Sequence, residues 1–213
     1  MYVAELWRYP VKSMAGERLR KVNLTPLGLD GDRIVHVENA RGRVVTARTH
    51  PKLLGHRAVL DAHGEPLVDS RPWTDPSVTA DIEHIAGGGA RLVLDDGAAR
   101  FDILPLLVAT DGAIAAFGYN GRRLRPNLVI GGVQGLAERT WEGKSLRIAD
   151  VLIALADLRG RCVMTTYDPD TQVQDVSVLR RIVRERGGRL ALDCSVIEPG
   201  RVALGDPVEV LGG

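Results

Sequence analysis

Several things are scarce in this chain, and each scarcity closes off a class of protein. It has two cysteines in 213 residues, Cys162 and Cys194. They can pair with each other but are too few for a disulfide framework. With no secretory leader at the N-terminus, the expectation is a cytoplasmic protein with reduced thiols. No apolar run approaches the length of a membrane span. Charge of one sign is lacking too: 28 Lys and Arg stand against 27 Asp and Glu, a net charge of +1. That excludes a general affinity for nucleic acid or an acidic membrane surface, while a local cluster such as Arg122, Arg123 and Arg125 can still form a small anion site. The histidines His36, His50, His56, His63 and His84 fit no zinc spacing and lie far from the cysteines, so solvated or structural roles are expected. Gly87-Gly88-Gly89 lacks the Lys-Ser/Thr that follows a phosphate-binding loop, and reads as a helix stop.

What remains is an ordinary globular composition, 45% hydrophobic and 26% charged, long enough for one large domain or two small ones. Short strand-like runs at 2–7, 22–24, 34–37, 44–47, 59–60 and 66–68 alternate with Gly, Pro and Asp turns, which points to a mainly β barrel or sandwich. Asp75-Pro76 reads as an N-cap and first turn for a helix whose Val78, Ile82 and Ile85 share a face. A hairpin of 91–94 and 100–103 is expected around Asp95-Asp96-Gly97. The apolar run 104–109 leads to Thr110-Asp111, which caps a short helix with Ile114 and Phe117 inward, ended by Asn120-Gly121. Its exposed N–H groups are a candidate phosphate seat. Strands follow at 146–148 and 151–156. A helix over 175–186 has Val176, Leu179, Ile182 and Val183 as its apolar stripe, an opposite face of arginines and a glutamate, and Gly187-Gly188 as its stop. Two last strands lie within 191–211, the first carrying Cys194 as a buried structural thiol.

Chemistry concentrates at a few places. Residues 160–171 read Gly-Arg-Cys-Val-Met-Thr-Thr-Tyr-Asp-Pro-Asp-Thr, setting Cys162 beside Arg161. A thiolate is the natural soft metal ligand and can also pass on sulfur, and a neighbouring guanidinium favours it. Taken by itself, a single cysteine on a strand is more often a small buried hydrophobe. Lys12-Ser13 makes a donor-rich turn that can hold a phosphate, as can any solvated Lys-Ser turn. Arg33 either points inward to an anion or pairs with Asp30 or Asp32. Arg125 offers a planar fork for phosphate, and Asn127 can both donate to and accept from a heterocycle edge.

Three of these strings occur together and in order: Tyr9-Pro10-Val11-Lys12-Ser13, Arg125-Pro126-Asn127-Leu128-Val129-Ile130, and the stretch 161–171. They resemble the motifs of the MOSC family, the molybdenum cofactor sulfurase C-terminal domain proteins. The resemblance covers the whole chain and implies a mainly β (α+β), barrel-like fold with a few short helices. It divides into an N-terminal β-barrel region over 1–90 and the MOSC domain over 91–213, with strands that the two can share. Within the family the nearest architecture is the amidoxime-reducing group, which implies molybdenum cofactor and reduction of N-hydroxylated compounds. By carry-over Cys162 is the thiolate ligand of molybdenum and the catalytic residue. Lys12, Ser13, Arg33, Thr110, Arg125, Asn127 and Arg161 anchor the pterin and its phosphate. Pyridoxal phosphate binding is a further family-level association.

Without a membrane anchor or a cysteine cluster for an iron–sulfur domain, such an enzyme takes electrons from a separate ferredoxin-, flavodoxin- or cytochrome b5-like protein. No nucleic-acid or membrane partner is expected. The alternatives are a sulfur or cofactor carrier that uses a Cys162 persulfide without redox turnover, and a small-molecule-binding or scaffolding domain that has lost its chemistry. One departure bears on the last: Gln172 stands where the family usually has Gly. The chain is also short for the group, which predicts trimmed substrate-facing loops.

Overall fold

The computed structural model describes residues 1–95 and 97–212. The first half of the chain is strand and turn: β1 (Tyr2–Arg8), β2 (Glu17–Leu19), β3 (Lys21–Thr25), β4 (Gly28–Leu29), β5 (Val35–Glu38), β6 (Val44–Val45), β7 (Ala58–Leu60), β8 (Pro66–Val68) and β9 (Arg71–Pro72). Helix α1 (Pro76–Ala86) and β10 (Arg91–Leu94) complete it. The second half has β11 (Leu106–Thr110), α2 (Asp111–Phe117), β12 (Leu128–Gly131), β13 (Ser145–Ile148) and β14 (Val151–Gly160). It ends with α3 (Val176–Arg186), β15 (Arg189–Glu198), β16 (Gly200–Ala203) and β17 (Val208–Leu211). The architecture is therefore mainly β, barrel-like, with a few short helices.

Period-two patterning decides which side of each strand is inside. In β3 the polar Lys21 and Asn23 are exposed while Val22 and Leu24 are buried. β14 alternates in the same way from Val151 to Leu155. β11 and β12 break the rule because they are buried throughout, and they form a parallel pair at the centre of the large sheet. That sheet has eight strands among the described residues, in the order β17-β13-β14-β15-β11-β12-β1-β2. Strands β1 and β2 thus bring the N-terminus into a sheet otherwise made by the second half of the chain. β16 returns the favour by pairing with β3.

Three larger apolar clusters follow from this layout among the described residues. The largest lies on the big sheet, with Leu6, Leu106, Ile130, Leu146, Ile153 and Leu192 among its members. A second, around Val11, Met14, Val35, Leu53, Val78 and Ile82, holds the N-terminal strands against α1. The third packs α2, α3 and the turn at 121–124 together through Phe117, Leu124, Val178, Ile182 and Leu190. The helix at 76–86 forms as expected, with Asp75 accepting from the Ser77 N–H and Gly87 at its end.

Some expectations are corrected. The hairpin of 91–94 with 100–103 does not form: β10 pairs with β5 instead. Residues 98–100 make a 3₁₀ turn, drawn inward because the Arg100 guanidinium donates to the carbonyls of Asp32 and Leu27. Asp96, in the turn expected between those two strands, lies outside the described residues. Helix α2 ends two residues before Asn120-Gly121, at Gly118 in the left-handed conformation. In α3 the buried line is Val178, Ile182 and Arg186, spaced at i, i+4, i+8, while Val176 and Val183 are exposed. The apolar periodicity missed this because Arg186 buries its stem and donates from its head to the carbonyl of Ala116, at the end of α2. Strand β2, short and polar at a sheet edge, carried no apolar signal at all.

Candidate functional site

A cavity of about 430 Å³ opens where the loop after β1 meets the end of β14 and the beginnings of β11 and β12. Its wall carries seven cationic side chains, Lys12, Arg33, Arg48, Arg123, Arg125, Arg159 and Arg161, together with Ser13, Asn127 and Cys162. Phe101, Ile103 and Leu104 form an apolar lip beside them. Residues far apart in sequence are brought together here because β1 and β12 are neighbours in one sheet.

Cys162 caps a 3₁₀ turn, Val163–Thr166, at the end of β14. The turn is tied by its backbone, the Cys162 carbonyl accepting from the Thr165 N–H at 3.0 Å and hydroxyl at 2.8 Å. The thiol is therefore not needed to hold the turn, and it is partly exposed with no disulfide. Arg123 clamps the turn from the other side, donating to the Thr166 carbonyl at 2.9 Å and to Asp168 at 3.0 Å. That clamp locks the arginine-rich stretch before β12 to the cysteine-bearing turn.

Beneath the cations sits Asp32, fully buried. Its carboxylate accepts from the Tyr9 N–H at 2.7 Å, from the Asn127 amide at 3.1 Å, and from Arg33. The Tyr9 ring lies between two guanidiniums, Arg125 at 4.2 Å and Arg33 at 5.2 Å. Burial pushes the Tyr9 phenol up to about 12, although both arginines oppose this. Burial likewise brings Arg125 down to about 10, Tyr9 opposing and the charge of Arg33 adding to it. Arg161 is brought down to about 10 by the same desolvation, with Cys162 opposing and Arg159 adding. Both guanidiniums thus sit in surroundings that an anion would improve. One Arg161 amino group donates to the Leu124 carbonyl at 2.7 Å, while its Nε is buried without a hydrogen-bond partner.

Lys12, Ser13, Arg33, Arg125, Asn127, Arg161 and Cys162 all line the one cavity, and Thr110 does not. Thr110 is fully buried, accepting from the Ala113 N–H and donating to Glu138. Two of the N–H groups expected to be free there are already used: Ala113 donates to the Thr110 hydroxyl and Gly112 to the Asp111 carboxylate, which also takes the N–H groups of Gly132 and Val133. Asn127 lines the cavity, yet its amide is committed, donating to Asp32 and the Trp7 carbonyl and accepting from the Leu107 N–H. It acts as a girder for Asp32 and Arg33 instead of a free edge for a heterocycle. Arg33 pairs with Asp32 and lines the cavity at the same time, so the two alternatives coexist.

Four residues escaped notice. Arg48 lies within hydrogen-bonding reach of Cys162; burial opposes its charge, but Asp102 and then Cys162 outweigh that and hold its pKa above the ordinary arginine value. Asp102 clamps Lys12 at 2.8 Å and also Arg48. Arg159 pairs with buried Asp193 at 2.6 Å. An Asp in a loop or an Arg at a strand end looks the same in sequence whether it faces a cavity or water. Among the described residues no group of three or more His, Cys, Asp or Glu is placed to hold a metal ion, and no helix is long and apolar enough to cross a membrane.

Backbone strain gathers at the same place. Ser13, Arg33 and Arg125 all have left-handed φ, at 72°, 56° and 55°. For residues with a Cβ this costs roughly 1–2 kcal/mol each, and such strain clusters at ligand clamps. Gln172 is left-handed too, at φ 56°, which is the reason a glycine suits the position. Its amide donates to the Asp170 carbonyl at 3.0 Å, so the turn forms despite the substitution. Gln172→Gly relieves that strain and gives up the hydrogen bond and some unfolded-state entropy. The expected net change is within about 0.5 kcal/mol, read by chemical denaturation. The Gln172 side chain also fills the space beside Gly55, and a loss above about 1.5 kcal/mol would mean instead that this packing is required.

Asp102 makes a pH-dependent contribution. Burial acts to raise its carboxyl pKa, but Lys12 and Arg48 prevail and hold it below the usual range. A depressed folded pKa stabilises the fold above the unfolded value and loses that effect as pH falls through the folded one. The wild type is therefore expected to exceed Asp102→Asn by about 1 kcal/mol near neutrality, after discounting for solvent screening. The gap closes in the acid range below the ordinary aspartate pKa. Equal stabilities at all pH values would show that the two ion pairs contribute nothing.

Comparison with known proteins agrees with this geometry. Residues 1–91 match the MOSC N-terminal beta barrel domain and residues 114–209 the MOSC domain. Mitochondrial amidoxime-reducing component 1 of Homo sapiens is 27% identical, covering 99% of this chain and 83% of its own length. Aligned over 283 positions, it carries insertions that this chain lacks. Mitochondrial amidoxime reducing component 2 of Homo sapiens is 26% identical over 81% of this chain and 68% of its own. The crystal structure of the YUAD protein from Bacillus subtilis superposes with a TM-score of 0.54 at 14% identity, covering 98% of this chain and 94% of that one, and so shares the fold.

Proposed function

The chain belongs to the MOSC domain family, and from that premise we propose that it is a molybdenum-cofactor oxidoreductase that reduces N-hydroxylated compounds. The observation that carries the reading is one thiol, Cys162, set in a cavity with seven cationic side chains. That donor set suits an anionic pterin bearing a soft metal: a thiolate for molybdenum, and guanidiniums for phosphate. The orphaned Arg161 Nε and the lowered pKa values of Arg125 and Arg161 are what a missing anion would leave. Relatives named for amidoxime reduction support the choice of substrate class.

When bound, the cofactor supplies two-electron oxygen-atom transfer from the substrate N–O bond. The protein's own part is to hold and to shield. Cys162 is the ligand; Arg161, Arg125 and Arg33 hold the phosphate end; Asp32 and Asn127 keep Arg33 in position. Lys12 and Arg48 stand at the mouth with Asp102 between them. The lip of Phe101, Ile103 and Leu104 excludes water and gives the organic part of a substrate an apolar wall. Electrons come from a separate carrier protein.

The test is metal and pterin content, then turnover. The protein is expressed in a host that makes molybdenum cofactor; near-stoichiometric molybdenum, together with reduction of a hydroxylamine or amidoxime by an artificial donor, is expected. No molybdenum from a competent host would sink the reading. A second reading, sulfur or cofactor carriage, is favoured by the partial exposure of Cys162 and its contact with Arg48. A persulfide on Cys162 in molybdenum-free protein, seen by mass spectrometry, would select it.

A further inference from the structure

Helix α3 turns an unpartnered face to solvent. With Val178, Ile182 and Arg186 inward, the helical repeat puts Val176, Arg180, Val183 and Arg184 together on the outside. Val176 and Val183 are 47% and 56% exposed, and Val173, just before the helix, is 66% exposed. These three valines lie on one side of the molecule and are interleaved with arginines. The charges are unbalanced as well. Along roughly 16 Å of helix, Arg181, Arg184 and Arg186 all reach for the same carboxylate, Glu185, at 3.0, 2.9 and 3.0 Å. The acidic groups at the N-terminal end are engaged elsewhere, Asp175 on the Ser177 N–H and Asp170 on Arg122. The whole chain carries only +1, so this is a local concentration of positive charge.

The position of the helix gives that face a meaning. Its inner residues Val178 and Ile182 pack in one cluster with Leu124. Leu124 lines the cavity, and its carbonyl accepts from Arg161, the neighbour of Cys162. One layer of side chains thus lies between α3 and the cavity wall.

We propose that the outer face of α3 is the docking surface for an acidic electron-carrier protein, of the iron–sulfur or flavin class. This rests on the reductase reading above, since reducing an N–O bond to N–H and water consumes two electrons and two protons, and the carrier is oxidised in supplying the electrons. Arg180 and Arg184 meet carboxylates of the carrier as planar forks, and the exposed valines supply the apolar centre that a transient interface needs. Steering by these charges makes association fast and salt-sensitive.

The experiment measures binding of a plant-type [2Fe–2S] ferredoxin and of a flavodoxin at low and high salt, by calorimetry. In parallel, turnover is driven by an artificial donor. The wild type binds at least one carrier, with affinity falling as salt rises. The double reversal Arg180→Glu/Arg184→Glu weakens that binding by about tenfold or more, with turnover from the artificial donor unchanged. A matched reversal on β2 and β16, Arg18→Glu/Arg201→Glu, changes binding by less than about twofold. No binding of either carrier by the wild type, or an α3 reversal no worse than the control, overturns the proposal. If binding behaves as expected while the artificial donor reduces no N-hydroxylated substrate, the docking surface stands and the reductase reading falls.

Discussion

Cys162→Ser is expected to abolish molybdenum retention and reduction of N-hydroxylated substrates while leaving the fold intact. The serine oxygen is a hard, high-pKa donor and a poor exchange for a soft thiolate. Losing a supporting group around a metal costs 10–100-fold, so losing the ligand itself is expected to exceed about a hundredfold in activity. The fold is spared because Cys162 enters the turn through its carbonyl, which takes both bonds from Thr165, and its side chain is not a core member. Stability is expected to change by no more than about 0.5 kcal/mol, or about 2 °C in Tm for a chain of this size. Molybdenum by mass spectrometry, pterin by fluorescence and a melting curve decide together. Full molybdenum content in the variant would remove Cys162 from the ligand role, however low the activity.

Asp32→Ala is expected to be the most damaging single change to stability, at about 3–5 kcal/mol. It strips the partner from half-buried Arg33, leaves the Tyr9 N–H without an acceptor, and frees one hydrogen of the Asn127 amide. Breaking a buried ion pair from one side is worse than never having had it, because the remaining charge is left without compensation. At 2–4 °C per kcal/mol, Tm falls by about 10 °C. Asp32→Asn keeps an acceptor for Tyr9 but turns an amide toward other donors, and is expected to cost about half as much. A loss below about 1 kcal/mol for the alanine variant, measured by denaturant unfolding, would mean that water replaces the carboxylate at no cost.

The large elements and most of the cavity were legible in the sequence, for identifiable reasons. Alternation places Val22 and Leu24 in β3 without any tertiary knowledge, and Asp75-Pro76 announces α1 through its capping chemistry. Cys162, Arg125 and Lys12 stood out because they sit in strings whose resemblance to a family is specific. What stayed hidden is whatever depends on a distant partner. Arg100 defeated the expected hairpin by finding carbonyls at 27 and 32. Arg186 moved the α3 stripe by satisfying a carbonyl on α2. Thr110 looked like an anion seat because nothing local shows that Asp111 spends its charge on the N–H groups of 132 and 133. Arg48 and Asp102 lie 54 residues apart and meet only in the fold.

The left-handed backbone of this chain also tells a protein engineer where heat resistance can be sought. A screen guided by φ alone would propose glycine at Ser70, Ala149 and Gln172, and equally at Ser13, Arg33 and Arg125. The first three lie away from the cavity wall, and there the exchange is tolerable. The other three are its lining, and relaxing them removes a hydroxyl and two guanidiniums from the place where an anion is to be gripped. Clones with glycine at 13 or 125 would accordingly come out empty-handed however well they fold, and glycine at 33 would in addition leave buried Asp32 without its ion pair. Selection by melting temperature therefore has to be coupled to a ligand-binding screen from the first round.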